Sequence, residues 1–337
     1  MALTERTKLY SEIEKKTGNP LIVYATSRRQ NASGVIGADV IEEFIWQLEK
    51  LDKPVKTLDI LVESNGGDGL VVWRLISVLR TKTERIRVLV PNSAFSAATL
   101  FCLGADEIVM GKYGCLGPTD PQISAMGKDG QPKFFAFEDV LAFIDFASKK
   151  LALRSGEAKE IYNRLFDSIE PFALGFASRS SELSTSMGAK LLQFRSKNNL
   201  NSKQARRIAE KLNKNFFNHG HPLNKNEAKE IGLSVVDPDL ELEKLMWKIH
   251  LDLEKEFLND LPFDILSNYL KNNPPLIPGG NQIPVAEYPF DLKFSILESV
   301  RTNQEYLMKC KTTVFRNAQT LAYVPTNVVI EQGWKRH

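Results

Sequence analysis

Two spacings of apolar residues alternate along the first third of the chain. Leu9 and Ile13 stand one turn apart among charges, which predicts a short amphipathic helix over 4–16. LIVYAT (21–26) is a compact apolar run, long enough for a buried strand and too short for a helix. A polar loop, SRRQNASG, then leads to Val40, Phe44, Leu48 and Leu51 at helical spacing. The strand LDILVES (58–64) stops at Asn65-Gly66-Gly67-Asp68-Gly69, and Leu70 to Leu79 reads as a helix. RIRVLVP (85–91) is a third strand, the loop NSAF opens a helix from Ser96 to Leu103, and DEIVM (106–110) is a fourth strand. Strands alternating with helices of about ten residues predict an α/β fold of stacked βαβ units around a parallel core.

From about 134 to 216 the pattern turns helical, beginning with the apolar stripe of FEDVLAFIDFASKKLAL and continuing through Phe176 and Leu192. Asn201 to Phe217 is a basic amphipathic helix carrying Lys203, Arg206, Arg207, Lys211 and Lys214. No aromatic interleaving accompanies those charges, so they read as a solvated face and no nucleic-acid partner is expected. In NKNEAKEIGLSVVDP, Asn224 caps a helix and Gly232 ends it. Residues 239–258 form one more helix. Pro274 to Pro289 holds five prolines and two glycines, the composition of a linker or an extended arm. The last stretch gives no clear periodicity. These features divide the chain into a domain over 1–240, a helical segment over 241–273, and a Pro-rich linker with a C-terminal extension over 274–337.

Composition narrows the classes of function. The 337 residues are 43% hydrophobic and 25% charged with a net charge of +3, which describes a folded protein with no electrostatic case for nucleic acid. The three cysteines, Cys102, Cys115 and Cys310, are widely spaced and form no CxxC. They suit a reducing compartment and argue against a disulfide framework or a zinc knuckle. MALTERTKLYSEIEKK is charged throughout and lacks the apolar centre of a signal peptide. No run approaches the roughly 18 apolar residues of a membrane span. The expectation is a cytoplasmic protein.

Three stretches stand where strands end: SNGGDG (64–69), NSAFSAATLF (92–101) and GCLGPTDPQ (114–122). Open α/β sheets place their sites there. The pair Gly66-Gly67 has two readings, a tight turn or backbone N–H groups brought close to a reacting carbonyl. Ser96 likewise is either a helix cap or a hydroxyl activated at a helix N-terminus, where the N–H of Ala97 is open to an oxyanion. The small residues Ala94, Ala97 and Ala98 would leave room for a substrate chain. GGDG lacks the GxGxxG spacing, so dinucleotide binding is set aside. His219 and His221 flank a glycine but have no further His or Cys nearby, and no metal is expected. The same histidines could cap the preceding helix, and Asp120 could cap a turn beside Pro121.

ESNGGDG, NSAFSAATLFCLGADEIVMGKYGCLGPTDPQ and HGHPLNKNEAKEIGLSVVD, in this order, resemble the serine dehydrogenase proteinase family. That family is a relative of ClpP and of signal peptide peptidase A within the ClpP/crotonase superfamily. The resemblance spans residues 7–240 and implies a ClpP/crotonase-like fold with a helical excursion. It makes Ser96 the nucleophile of a serine endopeptidase, with Gly66 or Gly67 and Ala97 forming the oxyanion hole. ClpP carries a histidine in the loop that here reads Gly117-Pro118-Thr119-Asp120-Pro121, and no histidine lies between Ser96 and His219. The order Ser96, Asp120, His219 fits the triad proposed for the serine dehydrogenase proteinases. A rival base is Lys133, since signal peptide peptidase A uses a Ser–Lys dyad. Burial against Phe134 and Phe135 would lower the pKa of that lysine, and its other reading is a solvated loop residue.

By resemblance the protein would act on polypeptides without a cofactor, as a homo-oligomer: a dimer, trimer or ring. A separate unfoldase could feed it, since no GxxxxGK[ST] motor motif is present. Two other readings use the same residues. One is a catalytically inactive oligomeric scaffold or peptide-binding relative. The other is a crotonase-type acyl-CoA enzyme, against which no adenine-recognition segment is evident.

Overall fold

The computed structural model describes residues 3–51, 53–126, 130–150, 169–195, 200–216, 218–272, 287–316 and 323–337, with a few positions between 159 and 166. The strands are β1 (Leu21–Thr26), β2 (Val55–Glu63), β3 (Thr83–Val90), β4 (Ser93–Ala94), β5 (Glu107–Met110) and β6 (Cys115–Leu116). Then come β7 (Ile123–Met126), β8 (Pro132–Phe135), β9 (Val235–Val236), β10 (Glu287–Glu298), β11 (Asn303–Arg316) and β12 (Tyr323–Arg336). Eight of them make one sheet in the order β12-β11-β10-β1-β2-β3-β5-β9. β1, β2, β3, β5 and β9 run parallel, as the alternation of strands and helices predicts. β10 pairs antiparallel with β1, placing Val23 opposite Glu298, and β11 and β12 continue the meander outward.

Every residue of β1 is buried, because a parallel strand is covered by helices on both faces. Successive side chains point to opposite sides. Ile22, Tyr24, Ile60, Val62 and Val88 pack on one side with Phe44, Val72, Leu75, Phe101 and Leu191. Leu21, Val23, Leu61 and Leu89 pack on the other with Tyr10, Ile13, Leu245, Met246 and Ile249. The helices Val40–Glu49, Gly69–Leu79, Ala97–Leu103 and Pro171–Gln193 therefore cover the first face, and Leu3–Thr17 and Leu240–Phe257 the second. Asn224 and Gly232 stand at the two ends of Lys225–Ile231, the glycine in the left-handed conformation.

Some segments differ from their sequence-based expectation. The helical stripe after residue 136 starts as the helix Phe137–Asp145 and widens into a π-turn over Phe146–Lys150; residues 151–158 lie outside the described ones. Ahead of it, β7 and β8 form a hairpin, so Phe134 and Phe135, at the start of the stretch whose pattern predicts helix, lie in a strand. Most of the Pro-rich stretch, residues 273–286, also lies outside the described residues, but Glu287 to Pro289 already belong to β10. The aperiodic C-terminal part is three long strands. Their apolar residues do not alternate cleanly because β12 lies at the sheet edge, where Val328, Val329 and Ile330 are all exposed.

One buried polar knot ties the second face together. Arg6 donates from Nε and Nη2 to the carboxylate of Glu298 at 2.8 and 2.6 Å, and from Nη1 to Asp252 at 2.6 Å. Tyr10 OH adds a 2.6 Å bond to Glu298. Burial opposes the charge on Arg6, but its bonds to Glu298 and Asp252 outweigh that and hold the guanidinium protonated. Removing one partner leaves uncompensated buried charge. Arg6→Met is expected to cost about 3–5 kcal/mol of stability, read from the urea midpoint; an unchanged midpoint would show that the knot contributes nothing.

Candidate functional site

The loops after β2 and β3 are joined by backbone. Ser64 N–H donates to Ser93 C=O at 3.1 Å and Phe95 N–H to Ser64 C=O at 2.9 Å, while β4 pairs with β6. Out of this junction comes Ser96, with φ 53° and ψ −117°, directly before the buried helix Ala97–Leu103. A non-glycine residue at positive φ costs on the order of 1–3 kcal/mol and persists only where its surroundings enforce it. Ser96 makes no side-chain cap bond, so the helix-cap reading is set aside. Its Oγ has no hydrogen-bond partner among the described residues. Thr99 Oγ1, one turn on, lies 2.7 Å from Ala94 C=O and 3.0 Å from Gly117 C=O, bracing the turn from below.

The glycine pair faces this serine. Gly66 and Gly67 have φ of +111° and +148°. A Cβ on Gly66 would stand 2.7 Å from Ser96 Cβ and 3.0 Å from Ala97 N. One on Gly67 would stand 2.4 Å from Ile36 O. Ile36 straps the loop as a strand would, donating to Gly66 C=O at 2.8 Å and accepting from Asp68 N–H at 2.9 Å. The N–H of Gly66 is already spent on Ser64 Oγ at 3.0 Å. The N–H groups of Gly67 and Ala97 have no acceptor among the described residues, Ala97 because it opens a helix.

A cavity of about 210 Å³ lies against Ser96. Leu70, Leu100, Leu183 and Met187 supply its apolar wall, with Thr119, Ser180 and Ser184 at the polar side. Four of the polar and apolar wall residues, Ser180, Leu183, Ser184 and Met187, come from the helix Pro171–Gln193, which no motif marked. The one local signal is Gly188, where a Cβ would press within 3.2 Å of Ala209 Cβ and 3.3 Å of Leu103 Cδ1. Of the three alanines expected to make room, only Ala97 lines the cavity; Ala94 and Ala98 are core residues.

Asp120 lies between Thr119 and Pro121, both cavity residues, and is itself buried. Its Oδ1 lies 2.8 Å from His219 Nδ1, and its Oδ2 accepts from Gln122 at 2.9 Å. His219 is 32% exposed, and its Nε2 has no partner among the described residues. No hydrogen bond joins His219 to Ser96. His221 points elsewhere, stacked on Phe216 with Nε2 3.2 Å from Glu227 Oε1. Lys133 is half-buried on β8 rather than in a loop, pairs across the hairpin with Ala125, and does not line the Ser96 cavity. Its neighbours Phe134, 73% exposed, and Phe135, buried, point to opposite faces of β8, so the two rings do not enclose it together.

Sequence reasoning missed one further cluster. Glu63, His250 and Glu254 bring one ligand atom each within 4.8 Å of one another. The donor set would suit a divalent cation, but Arg28 pairs with Glu254 and Asn92 engages the second nitrogen of His250. A positive charge thus already stands where a cation would bind.

Residues 1–133 match the family of ClpP-like SDH-type serine proteinases. The resemblance read from the glycine pair and the Ser96 segment therefore holds over this stretch, which includes Asp120 and Lys133 and ends before His219. Two uncharacterised proteins of Methanocaldococcus jannaschii are similar over a longer span. One is 24% identical over 247 residues, covering 68% of this chain and 73% of its own. The other is 25% identical over 240 residues, covering 69% and 72%. Among solved structures, a mutant of a membrane-bound stomatin-specific protease overlaps 67% of this chain and 84% of its own, with 16% identity and a TM-score of 0.40. No helix among the described residues is long and apolar enough to cross a membrane.

Gly66→Ala combines a φ of +111° with a clash, whereas Gly18→Ala meets only a φ of +71°, near the left-handed well, with nothing within 4 Å. The first is expected to destabilise by more than about 1 kcal/mol beyond the second, measured by urea unfolding of both. Equal losses would show that the contact with Ser96 yields easily.

Proposed function

We propose that this chain, whose first 133 residues carry the pattern of ClpP-like serine proteinases, hydrolyses peptide bonds through an acyl-enzyme on Ser96. The observation that carries the reading is the inverted backbone of Ser96. It leaves Oγ at a cavity wall with no hydrogen-bond partner among the described residues, beside two N–H groups that have no acceptor among them either. Ser96 Oγ attacks the carbonyl carbon while His219 Nε2 takes its proton. The oxyanion is held by the N–H groups of Gly67 and Ala97; Gly66 serves by allowing the close approach. Collapse expels the amine with the proton from His219, and water then releases the acyl group by the same steps. Asp120, accepting from Nδ1–H, fixes the tautomer that leaves Nε2 free to act as base. The Ser96–His219 bond would form on substrate binding, since catalytic hydrogen bonds are often long in unliganded enzymes.

The apolar wall of Leu70, Leu100, Leu183 and Met187 favours an apolar side chain next to the scissile bond. Lys133 is the weaker candidate, because it does not line the Ser96 cavity. The family resemblance and the exposed apolar residues Met126, Phe134, Phe172 and Phe176 favour a homo-oligomer that takes polypeptide substrates, and the widely spaced cysteines favour a reducing compartment such as the cytoplasm. The inactive-scaffold reading draws on the missing Ser96–His219 bond.

A fluorophosphonate probe decides between them. The wild type is expected to label at Ser96, Ser96→Ala not at all, and His219→Ala or Asp120→Asn slower by on the order of 10⁴-fold. Lys133→Met should label like the wild type; the reverse pattern would make Lys133 the base. A folded wild type that stays unlabelled would support the scaffold.

A further inference from the structure

On the far side of the sheet from the Ser96 cavity, the helix Leu240–Phe257 reaches both catalytic loops. Glu63 ends β2, immediately before the segment that carries the glycine pair. Asn92 lies in the loop between β3 and Ser96. His250 sits between them, 4% exposed, with Nδ1 at 2.9 and 3.1 Å from the two oxygens of Glu63 and Nε2 at 2.9 Å from Asn92 Nδ2. The carboxylate can only accept, so Nδ1 carries the proton; the amide nitrogen donates, so Nε2 receives. A neutral imidazole thus satisfies both neighbours at once. One turn further along the helix, Glu254 pairs with Arg28, whose Nη1 donates to Ser93 Oγ at 2.7 Å. Trp247, at 4.5 Å from the His250 ring, closes the site on the third side.

We propose that His250 is a positioning residue for the peptidase reaction. It fixes the end of β2 against the loop that carries Ser96, and so sets the distance from the Gly67 N–H to the Ser96 and Ala97 pair. The proposal rests on the hydrolase reading above. The backbone bonds between Ser64 and Ser93 or Phe95 join these loops directly. His250 adds a side-chain bridge to the same junction and ties it to a helix whose apolar face packs on the second core.

Three variants test it. His250→Leu keeps the volume and loses both bonds. His250→Gln keeps a donor and an acceptor at similar reach. Asn92→Ala breaks only the bond toward the Ser96 loop, at a half-buried position. The readouts are the maximal rate and half-saturating concentration of fluorophosphonate labelling, and hydrogen exchange of peptides covering 64–70 and 92–100. His250→Leu and Asn92→Ala are expected to lower the maximal rate by roughly 10²-fold, as a misplacement of about 1 Å does, with the half-saturating concentration unchanged. Both should speed exchange in the two loops, and His250→Gln should restore rate and protection. Wild-type rates and exchange in His250→Leu and Asn92→Ala would overturn the proposal. So would a Gln variant as slow as the Leu variant, since that would make the residue a packing element only. Exchange does not depend on activity. A wild type that never labels, while His250→Leu and Asn92→Ala both loosen the loops, would therefore remove the hydrolase reading and leave the bridge standing.

Discussion

Gly66 and Ser96 approach so closely that one extra carbon on the glycine would meet the serine Cβ at 2.7 Å, and much of the surrounding structure follows from that contact. It requires a glycine at positive φ on one loop and an inverted serine on the other. It also requires a third element to hold the serine loop in place. Gly117 supplies it: a Cβ there would stand 2.3 Å from Phe95 Cδ1, so the LGP loop can pack directly beneath the residue preceding Ser96. The three stretches are thus three sides of one junction at the carboxyl ends of the parallel strands, where such sheets open to ligands.

Strain at such a junction needs a stiff frame, and the sheet provides it by being buried on both faces. Two separate cores lie above and below the same strands. The terminal segments then close the second side: the first helix brings Arg6, the last long helix Asp252, and β10 Glu298, three residues that meet in one buried knot. The same last helix carries His250 to Glu63 and Asn92. These segments therefore fix the back of the sheet without lining the cavity.

The candidate chemistry is distributed unevenly between motif and packing. Ser96, Gly67 and Ala97 belong to short contiguous stretches whose residue types announce a tight, close-approaching backbone. The cavity wall does not. Leu183, Ser184 and Met187 come from a helix whose surface looks like any amphipathic face, and only the fold turns that face toward Ser96. Lys133 shows the converse. Its sequence neighbours promised burial, but strand alternation on β8 turns Phe135 inward and Phe134 outward.

What near neighbours dictate is legible from the residues: the compact apolar runs and helical spacings of the first 110 residues, the cap at Asn224 and the stop at Gly232, and the glycine–serine stretches. Each depends on interactions between near neighbours, so the residues alone carry the information. The tertiary structure decided the pairings that span the chain. Asp120 meets His219 across 99 positions, Glu63 meets His250 across 187, and Arg6 meets Glu298 across 292. It also decided that the aperiodic C-terminus forms strands. β10 becomes a strand because the open side of β1 offers unpaired backbone groups, a demand set by its partner rather than by its own side chains.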